Sequence, residues 1–188
     1  MIKIGITGSL ASGKTTASKL LSYKRGPLFS ADEVVKKFYK NNNFKKLLIK
    51  KFNLVKKSNL KKSLREKILK KKNNIKKLEK IIHPMVRTEM KKFFYLHKDK
   101  KNIFCEIPLL IESKLMKCFD VIIFIKAKKK VRLKRFISKG GDTKLFIALN
   151  NKQLSDQKKI KFCDHVVVNE RNLNILKKNL LSIIRLYA

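Results

Sequence analysis

Two patterns of apolar and polar positions alternate along the chain. Short, largely apolar runs at 2–6, 103–107, 121–125 and 165–168 have the composition of strands buried inside a parallel sheet. The longer segments between them repeat apolar residues at helical spacing. With a further short strand predicted at Leu28–Ser30, this pattern indicates an α/β fold in which helices flank a five-stranded parallel sheet.

The segment 33–98 carries almost no strand signal and is predicted to be helical. Breaks are expected around 41–43, 57–59 and 72–74, where asparagine and lysine cluster. Ordinary core positions are expected within it at Leu47, Leu48, Phe52, Leu64 and Ile68.

The last third of the chain is predicted to add a basic excursion and a terminal helix. We expect a basic helix over 128–138, a break at 139–142, one helix from about 143 to 161 and a final helix over 172–185. The whole chain, 1–188, is therefore interpreted as one domain. Its core is 1–32, 99–127 and 162–188, its helical substrate-binding subdomain is about 33–98 and its lid is about 128–161.

A phosphate-binding loop follows the first predicted strand. Gly8 to Thr15 matches the pattern G-x-x-x-x-G-K-[ST], and a helix with apolar positions at Ala17, Leu20 and Leu21 is predicted after it. Strand, glycine loop and helix occur in the order that lets backbone N–H groups and the positive helix end hold a polyphosphate. A chance glycine turn is the alternative, and the flanking elements argue against it.

The loop predicts the residues that hold a nucleoside triphosphate. Lys14 would reach the β- and γ-phosphates, and Thr15 would ligate Mg²⁺. The predicted nucleotide-binding residues of the loop are Gly8, Ala11, Ser12, Gly13, Lys14, Thr15 and Thr16.

The chain is strongly basic, with 49 lysines and arginines against 13 acidic residues and a formal net charge of +36. Such a charge raises the possibility of nucleic-acid binding through counterion release. The excess, however, is mostly lysine, spread through every predicted helix together with asparagine and isoleucine. A/T-rich codon usage accounts for that composition without a nucleic-acid partner, while the field would still attract anionic substrates.

The three cysteines and the apolar runs indicate a cytoplasmic protein. Cys105, Cys118 and Cys163 are widely separated and match neither a zinc site nor a disulfide framework, so we expect buried thiols in a reducing compartment. We expect neither a membrane span nor a signal peptide, since no apolar run is long enough and the start has no charged-then-apolar pattern.

Together with the parallel sheet, the helical insertion and the basic lid, the loop indicates an α/β fold of the P-loop kinase type. Residues in the predicted lid favour a phosphoryl-transfer enzyme. The chain lacks the Asn-Lys-x-Asp motif of guanine-reading proteins. Cations at Arg132, Arg135 and Lys139 could close over a triphosphate, neutralise the transferred group and exclude water. For each of these side chains, a solvated helix face is the alternative.

Several motifs in chain order give a specific resemblance. They are Ile4–Thr15, Ser30-Ala31-Asp32-Glu33, Leu64-Arg65, His83-Pro84, Ile107-Pro108-Leu109-Leu110-Ile111-Glu112, Phe119-Asp120, Gln153 and Asp164–Asn169. With these motifs the sequence closely resembles the dephospho-coenzyme A kinase family over nearly its whole length. The resemblance implies transfer of the γ-phosphoryl group of ATP to the ribose 3′-hydroxyl of dephospho-coenzyme A, with Mg²⁺.

The resemblance also implies roles for individual residues. Asp32 matches the catalytic carboxylate, although it could instead cap the helix that follows it. Arg65 and His83 match substrate-binding positions, with a surface arginine and a proline-linked kink between helices as the alternatives. The other matching residues are Pro108 and Leu109 at the acceptor site, Arg135 and Lys139 in the lid, and Asn169 near the adenine.

Three departures from the family pattern concern the metal and the lid. Ser30 stands where the family has a second aspartate, which leaves Glu106 as an alternative acid near the phosphates. Lys139 replaces an arginine, so it keeps the charge and loses the planar fork. The Gly140-Gly141 pair predicts a more mobile lid.

Two other functions remain open at this level. A nucleoside or nucleotide kinase would share the loop, the helical insert and the basic lid. A basic P-loop module that binds nucleic acid is the second alternative, and the dispersed lysines argue against it.

Overall fold

The computed structural model of the chain describes residues 1–54, 60–70 and 72–187, and at positions 61, 62, 65, 69, 70 and 72 it describes the backbone only. The strands in these ranges are β1 (Ile2–Gly8), β2 (Leu28–Ser30), β3 (Asn102–Glu106), β4 (Val121–Lys126) and β5 (His165–Val168). The helices are α1 (Lys14–Ser22), α2 (Ala31–Phe38), α3 (Asn42–Phe52), α4 (Leu60–Lys70), α5 (Lys72–Leu96), α6 (Lys129–Ile137), α7 (Thr143–Asn150), α8 (Asp156–Ile160) and α9 (Leu173–Ile184). None of the described helices is both long enough and apolar enough to cross a membrane.

The strands form one parallel sheet in the order β2-β3-β1-β4-β5, which confirms the predicted fold class. In the register of the sheet, Glu106 near the end of β3 lies opposite Ile6 of β1 and Ser30 of β2. Because carboxyl ends of parallel strands meet at one edge, the loops after β1 and β3 both start there.

The chain divides into two compact units, Met1–Ser30 with Phe94–Ala188, and Ala31–Phe93. In the first unit, apolar residues of β1 and β4 are buried against α1 and α9. Ile4, Ile6 and Ile123 of the sheet and Ala17 and Leu21 of α1 are completely buried. The predicted stripe of α1 is thus its inward face, with Leu20 at the margin of the core.

The second unit has its own core. It consists of Phe44, Leu48, Phe52, Leu54 and Leu64, with Ile68 packed against them. Leu48, Phe52 and Leu64 were expected there, but the prediction for Leu47 was wrong, because that side chain is exposed. Leu47 and Leu48 point in different directions, since neighbouring residues on a helix are about 100° apart.

Two predicted helix boundaries differ in the structure, and a third lies outside the described residues. The helix predicted over 143–161 is two helices, because Ser155 caps a new start by accepting a hydrogen bond from the Lys158 N–H. The break predicted at 72–74 is wrong, because these residues belong to α5. The Asn74 side-chain N–H donates to the Lys67 carbonyl near the end of α4. The break predicted at 57–59 lies outside the described residues.

The proline of the His83-Pro84 pair lies inside α5, so it does not separate two helices as the sequence allowed. Pro84 is exposed on that helix. Its missing N–H costs one backbone hydrogen bond, and the carbonyl left over can be hydrated where the helix faces solvent.

The cysteines are free thiols, but only Cys105 is buried, while Cys118 and Cys163 are half-buried. The expectation of buried thiols is therefore right for one of the three. Burial raises the pKa of Cys105, and it raises the pKa of Cys163 to about 12. Both groups are thereby kept as neutral thiols, which are poor nucleophiles.

Candidate active site

The phosphate loop joins β1 to α1 with an unusual backbone. Ala11 has a φ of 58° and Gly13 has a φ of 96°. At Gly13 an added Cβ would also lie 2.1 Å from the side-chain nitrogen of Asn169. Only glycine leaves room for Asn169 to approach the loop this closely.

Lys14 begins α1 directly after the loop and is largely buried. Its Nζ donates to the Ser9 carbonyl at 2.9 Å, and the Ser12 N–H donates to the same carbonyl at 3.1 Å. The ammonium group therefore lies across the loop, inside the turn that a phosphate would occupy.

Thr15 and Glu106 form the polar pair next to the loop. Thr15 Oγ1 donates to Glu106 Oε1 at 2.6 Å, and the Ser18 hydroxyl lies 3.4 Å from Oε2. Glu106 is buried, with 3% of its surface exposed, at the end of β3. Sequence reasoning proposed both residues for the region of the phosphates. That they are adjacent follows from the strand register, which places Glu106 beside the end of β1.

Arg135 and Asn169 meet at one backbone carbonyl of the loop. Arg135 Nη1 donates to the Ser12 carbonyl at 3.3 Å, and Asn169 Nδ2 donates to it at 2.8 Å. Arg135 comes from α6, and Asn169 comes directly after β5. The structure thus gathers two predicted nucleotide-binding side chains around Ser12 and Gly13.

Arg132 does not lie on a solvated helix face. It is 6% exposed, its guanidinium lies 5.7 Å from the ring centroid of Phe146, and burial lowers its pKa while nearby Asp156 opposes that shift. Its Nη1 donates to the Leu10 carbonyl at 3.3 Å, so it contacts the backbone of the phosphate loop.

Lys139 and Thr16 are exposed, and neither side chain makes a hydrogen bond or ion pair with another residue in the described part of the chain. Lys139 lies in the turn after α6, before the Gly140-Gly141 pair. Of the two predicted lid cations Arg135 and Lys139, Arg135 is the one whose side chain hydrogen-bonds to the loop in the described structure.

Pro108 and Leu109 follow β3 and are half-buried. The Thr7 hydroxyl of β1 donates to the Pro108 carbonyl at 3.3 Å, which ties this turn to the strand before the phosphate loop.

The remaining predicted residues belong to the second compact unit. Asp32 is exposed in the first turn of α2, two residues after Ser30 in the chain. His83 is half-buried in α5. The side chain of Arg65, in α4, lies outside the described part of the structure.

Two further contacts were not predicted by sequence reasoning. The Leu10 N–H donates to Gln153 Oε1 at 3.0 Å, and the Ser9 hydroxyl donates to Asp156 Oδ1. Both acceptors lie more than 140 residues along the chain, and the only sequence signal was the place of Gln153 among the family motifs.

The oxygen atoms next to the loop suit a hard divalent cation. The described residues contain no group of three or more metal-ligating His, Cys, Asp or Glu side chains. Mg²⁺ bound with a nucleotide needs only one or two protein oxygens, since phosphates and water supply the rest. The Thr15 hydroxyl and the buried Glu106 carboxylate fit that requirement.

Comparison with known proteins gives consistent matches over nearly the whole chain. The sequence model of the family described as dephospho-CoA kinase matches residues 2–174. A dephospho-CoA kinase of Fusobacterium nucleatum is 34% identical over 180 residues, covering 93% of both proteins. One of Bartonella henselae is 32% identical over 187 residues, covering 97% of this chain and 96% of that protein.

Similarity in structure extends equally far. The solved structure of dephospho-CoA kinase from Campylobacter jejuni matches with a TM-score of 0.69 at 23% sequence identity, covering 97% of this chain and 95% of the other. At that identity the likeness is one of fold.

Proposed function

The chain belongs to the dephospho-CoA kinase family, and from that premise we propose how its own residues carry out the reaction. The family reaction is ATP-dependent phosphorylation of dephospho-coenzyme A, which gives coenzyme A and ADP. The observation that carries this conclusion is the family match from residue 2 to residue 174, which includes both the phosphate loop and the helical second unit.

ATP binds at the phosphate loop in this proposal. The N–H groups at the start of α1 and the positive end of that helix face the phosphates. Lys14 exchanges its bond to the Ser9 carbonyl for the β- and γ-phosphates, and Arg135 adds positive charge beside Ser12. Asn169 contacts the adenine, because it is held against the loop just beyond the end of β5.

Mg²⁺ accompanies the ATP, held by the Thr15 hydroxyl with Glu106 as the nearby carboxylate. The ion, when bound, neutralises charge on the phosphates. Glu106 takes the place that the family's second aspartate would have near the metal, since Ser30 has no carboxylate. Its hydrogen bonds to Thr15 and Ser18 hold the carboxylate in place.

Dephospho-coenzyme A binds through Arg65, His83, Pro108 and Leu109. Arg65 pairs with a substrate phosphate, for which its planar fork is suited. His83 contacts the substrate from α5, and Pro108 and Leu109 contact it with the turn after β3.

Asp32 is the proposed catalytic carboxylate. It accepts the proton of the ribose 3′-hydroxyl as that oxygen forms a bond to the γ-phosphorus. The bond between the γ-phosphorus and the bridging oxygen breaks, and the electron pair leaves with ADP. The exposed position of Asp32 in the first turn of α2 leaves its carboxylate accessible to a substrate.

The reaction requires two small-molecule substrates, and we propose that it takes place in the cytoplasm without a specific nucleic-acid partner. The free thiols of Cys105, Cys118 and Cys163 support a reducing compartment. Lys139, in the exposed turn after α6, is proposed as a second lid cation for the phosphates of ATP.

Replacing Asp32 by asparagine tests the catalytic assignment. Asp32→Asn removes the proton acceptor while keeping the size of the side chain, so kcat is expected to fall by about 10²–10⁴-fold. The dissociation constant for ATP should stay within about twofold of that of the unchanged protein, because the phosphate loop is intact. Steady-state kinetics with ATP, Mg²⁺ and dephospho-coenzyme A, together with ATP titration, measure both quantities.

Glu33→Gln is the matched control, since it removes the neighbouring exposed carboxylate, which pairs with Lys36. It should leave kcat nearly unchanged. Turnover of Asp32→Asn within a few-fold of the unchanged protein would rule out the catalytic role. No turnover by the unchanged protein would instead contradict the function itself.

A further inference from the structure

Two side chains from outside the phosphate loop hold both backbone polar groups of Leu10. Gln153 Oε1 accepts the Leu10 N–H at 3.0 Å, and Arg132 Nη1 donates to the Leu10 carbonyl at 3.3 Å. The peptide plane before the Leu10 Cα is therefore held by the turn between α7 and α8. The peptide plane after it is held by α6.

The residue before Leu10 is held from the same region. The Ser9 hydroxyl donates to Asp156 Oδ1 at the start of α8. We call Arg132, Gln153 and Asp156 the loop clamp. A small cavity lies between the clamp and Ser9, lined also by Asn150 and Asn151.

The clamp is itself anchored to the core of the first unit. Arg132 is buried and donates to the Ala127 carbonyl at 3.1 Å and to Asn150 Oδ1 at 2.7 Å. A side chain with three such partners has little freedom to move.

The turn that carries Gln153 is fixed by Glu112. Glu112 Oε1 accepts the Leu154 N–H at 3.1 Å and lies 2.7 Å from Nζ of the fully buried Lys159. The residue next to Gln153 and a helix beyond it are thus attached to the same carboxylate.

The clamp acts where the loop needs support. Ala11, directly after Leu10, has a φ of 58°, a conformation that a residue with a Cβ adopts at a cost in free energy. Because the Leu10 N–H is bound to Gln153, it faces away from the inside of the loop and leaves that space to the N–H groups that follow. Fixing the peptide planes on either side of Leu10 favours the backbone turn at Ala11 over other conformations of the phosphate loop.

We propose that Gln153 is a positioning residue for ATP binding, which holds the phosphate loop in its binding conformation through the Leu10 N–H. Gln153 does not contact the reacting atoms in this proposal. The inference rests on the proposed function in one respect, namely that ATP binds at the loop.

Gln153→Met tests the proposal, because methionine has a similar length and no comparable hydrogen-bond acceptor. The dissociation constant for ATP, measured by calorimetry without the second substrate, is expected to rise about 5- to 20-fold for the loss of one hydrogen bond. KM for dephospho-coenzyme A should change by less than about twofold, because the side-chain oxygen of Gln153 binds the loop that holds ATP. Gln157→Met, the same change at an exposed position of α8, is the matched control and should leave ATP binding unchanged.

Hydrogen exchange of the Leu10 amide, measured in the protein without ATP, reports directly on the hydrogen bond from the Leu10 N–H to Gln153. In Gln153→Met this amide should exchange at least about tenfold faster, since its acceptor is gone. Gln153→Glu keeps an oxygen acceptor at the same length, and it should restore the slow exchange. A purely structural role would lower the melting temperature and speed exchange throughout the unit, without a selective effect at Leu10.

ATP affinity of Gln153→Met within twofold of the unchanged protein would overturn the proposal. An unchanged exchange rate of the Leu10 amide in Gln153→Met would overturn the proposal as well. This exchange measurement can be made even if the protein does not bind ATP. If the unchanged protein does not bind ATP, that result counts against the proposed function and not against the loop clamp.

Discussion

Single residues around Gly13 determine how closely the nucleotide site is packed. The carbonyl before Gly13 accepts hydrogen bonds from both Arg135 and Asn169, and the space that a Cβ would need is filled by the Asn169 amide. The glycine thus allows three parts of the chain that are distant in sequence to meet at one point.

Gly13→Ala is expected to lose at least about tenfold in ATP affinity. The new methyl group would displace Asn169, and the φ of 96° is unfavourable for alanine. Unfolding in urea should also show a loss of about 1–3 kcal/mol of stability. ATP titration and urea denaturation measure these effects.

Gly140→Ala separates backbone strain from the clash. Gly140 has a φ of 84°, but an added Cβ would meet no atom within 4 Å. This variant should lose stability through strain alone and keep the ATP affinity of the unchanged protein. Equal ATP affinities for the two variants would contradict the role given to the contact between Gly13 and Asn169.

The site residues that sequence reasoning could assign from the chain itself are those with a local signal. Lys14 and Thr15 are defined by the loop pattern, and their surroundings follow from the strand and helix on either side. The burial of Arg132 and the bond from Leu10 to Gln153 depend on how distant helices pack, and no spacing in the sequence encodes that.

At the scale of elements, the range predicted as a lid is largely fixed to the core. Arg132 of α6, Phe146 of α7 and Lys159 of α8 are all buried. The turn between α6 and α7, with Lys139 and Gly140, is exposed. Any closure over ATP would therefore involve this turn more than the whole range 128–161.

Lys159→Met tests how strongly α8 is held. The ammonium group is fully buried 2.7 Å from the carboxylate of Glu112, whose side chain is 18% exposed, and replacing the lysine leaves that largely shielded carboxylate without its partner. We expect a loss of about 3 kcal/mol in the free energy of unfolding, measured by urea denaturation.

Lys128→Met provides the comparison within the same unit. Lys128 pairs with Glu170 at 3.4 Å, and its side chain is 78% exposed, so its loss should cost less than about 1 kcal/mol. Equal losses for the two variants would show that the buried pair contributes no more than a surface pair.

Helix boundaries were harder to predict than the elements themselves. The apolar spacing over 143–161 continues past the break, and the break arises from the turn that presents Gln153 and from the cap at Ser155. Likewise Asn74 has the composition of a break, but its side chain binds α4 while its backbone continues α5.

For the whole molecule, the order of strands and helices was enough to predict the parallel sheet. Five short strands separated by helices allow few arrangements once crossovers must be right-handed. The division into the units Met1–Ser30 with Phe94–Ala188, and Ala31–Phe93, comes from the structure. The net charge of +36 is consistent with a general attraction for anionic substrates.

The most direct test of the account is a comparison of phosphoryl acceptors. The protein is incubated with ATP and Mg²⁺ and with dephospho-coenzyme A, its 3′-deoxy analogue or deoxyadenosine, and the products are identified by mass spectrometry and ³¹P NMR. The account predicts that dephospho-coenzyme A is phosphorylated at its ribose 3′-oxygen, which gives coenzyme A. It predicts no phosphorylated product from the other two acceptors. Phosphorylation of deoxyadenosine without any product from dephospho-coenzyme A would contradict it.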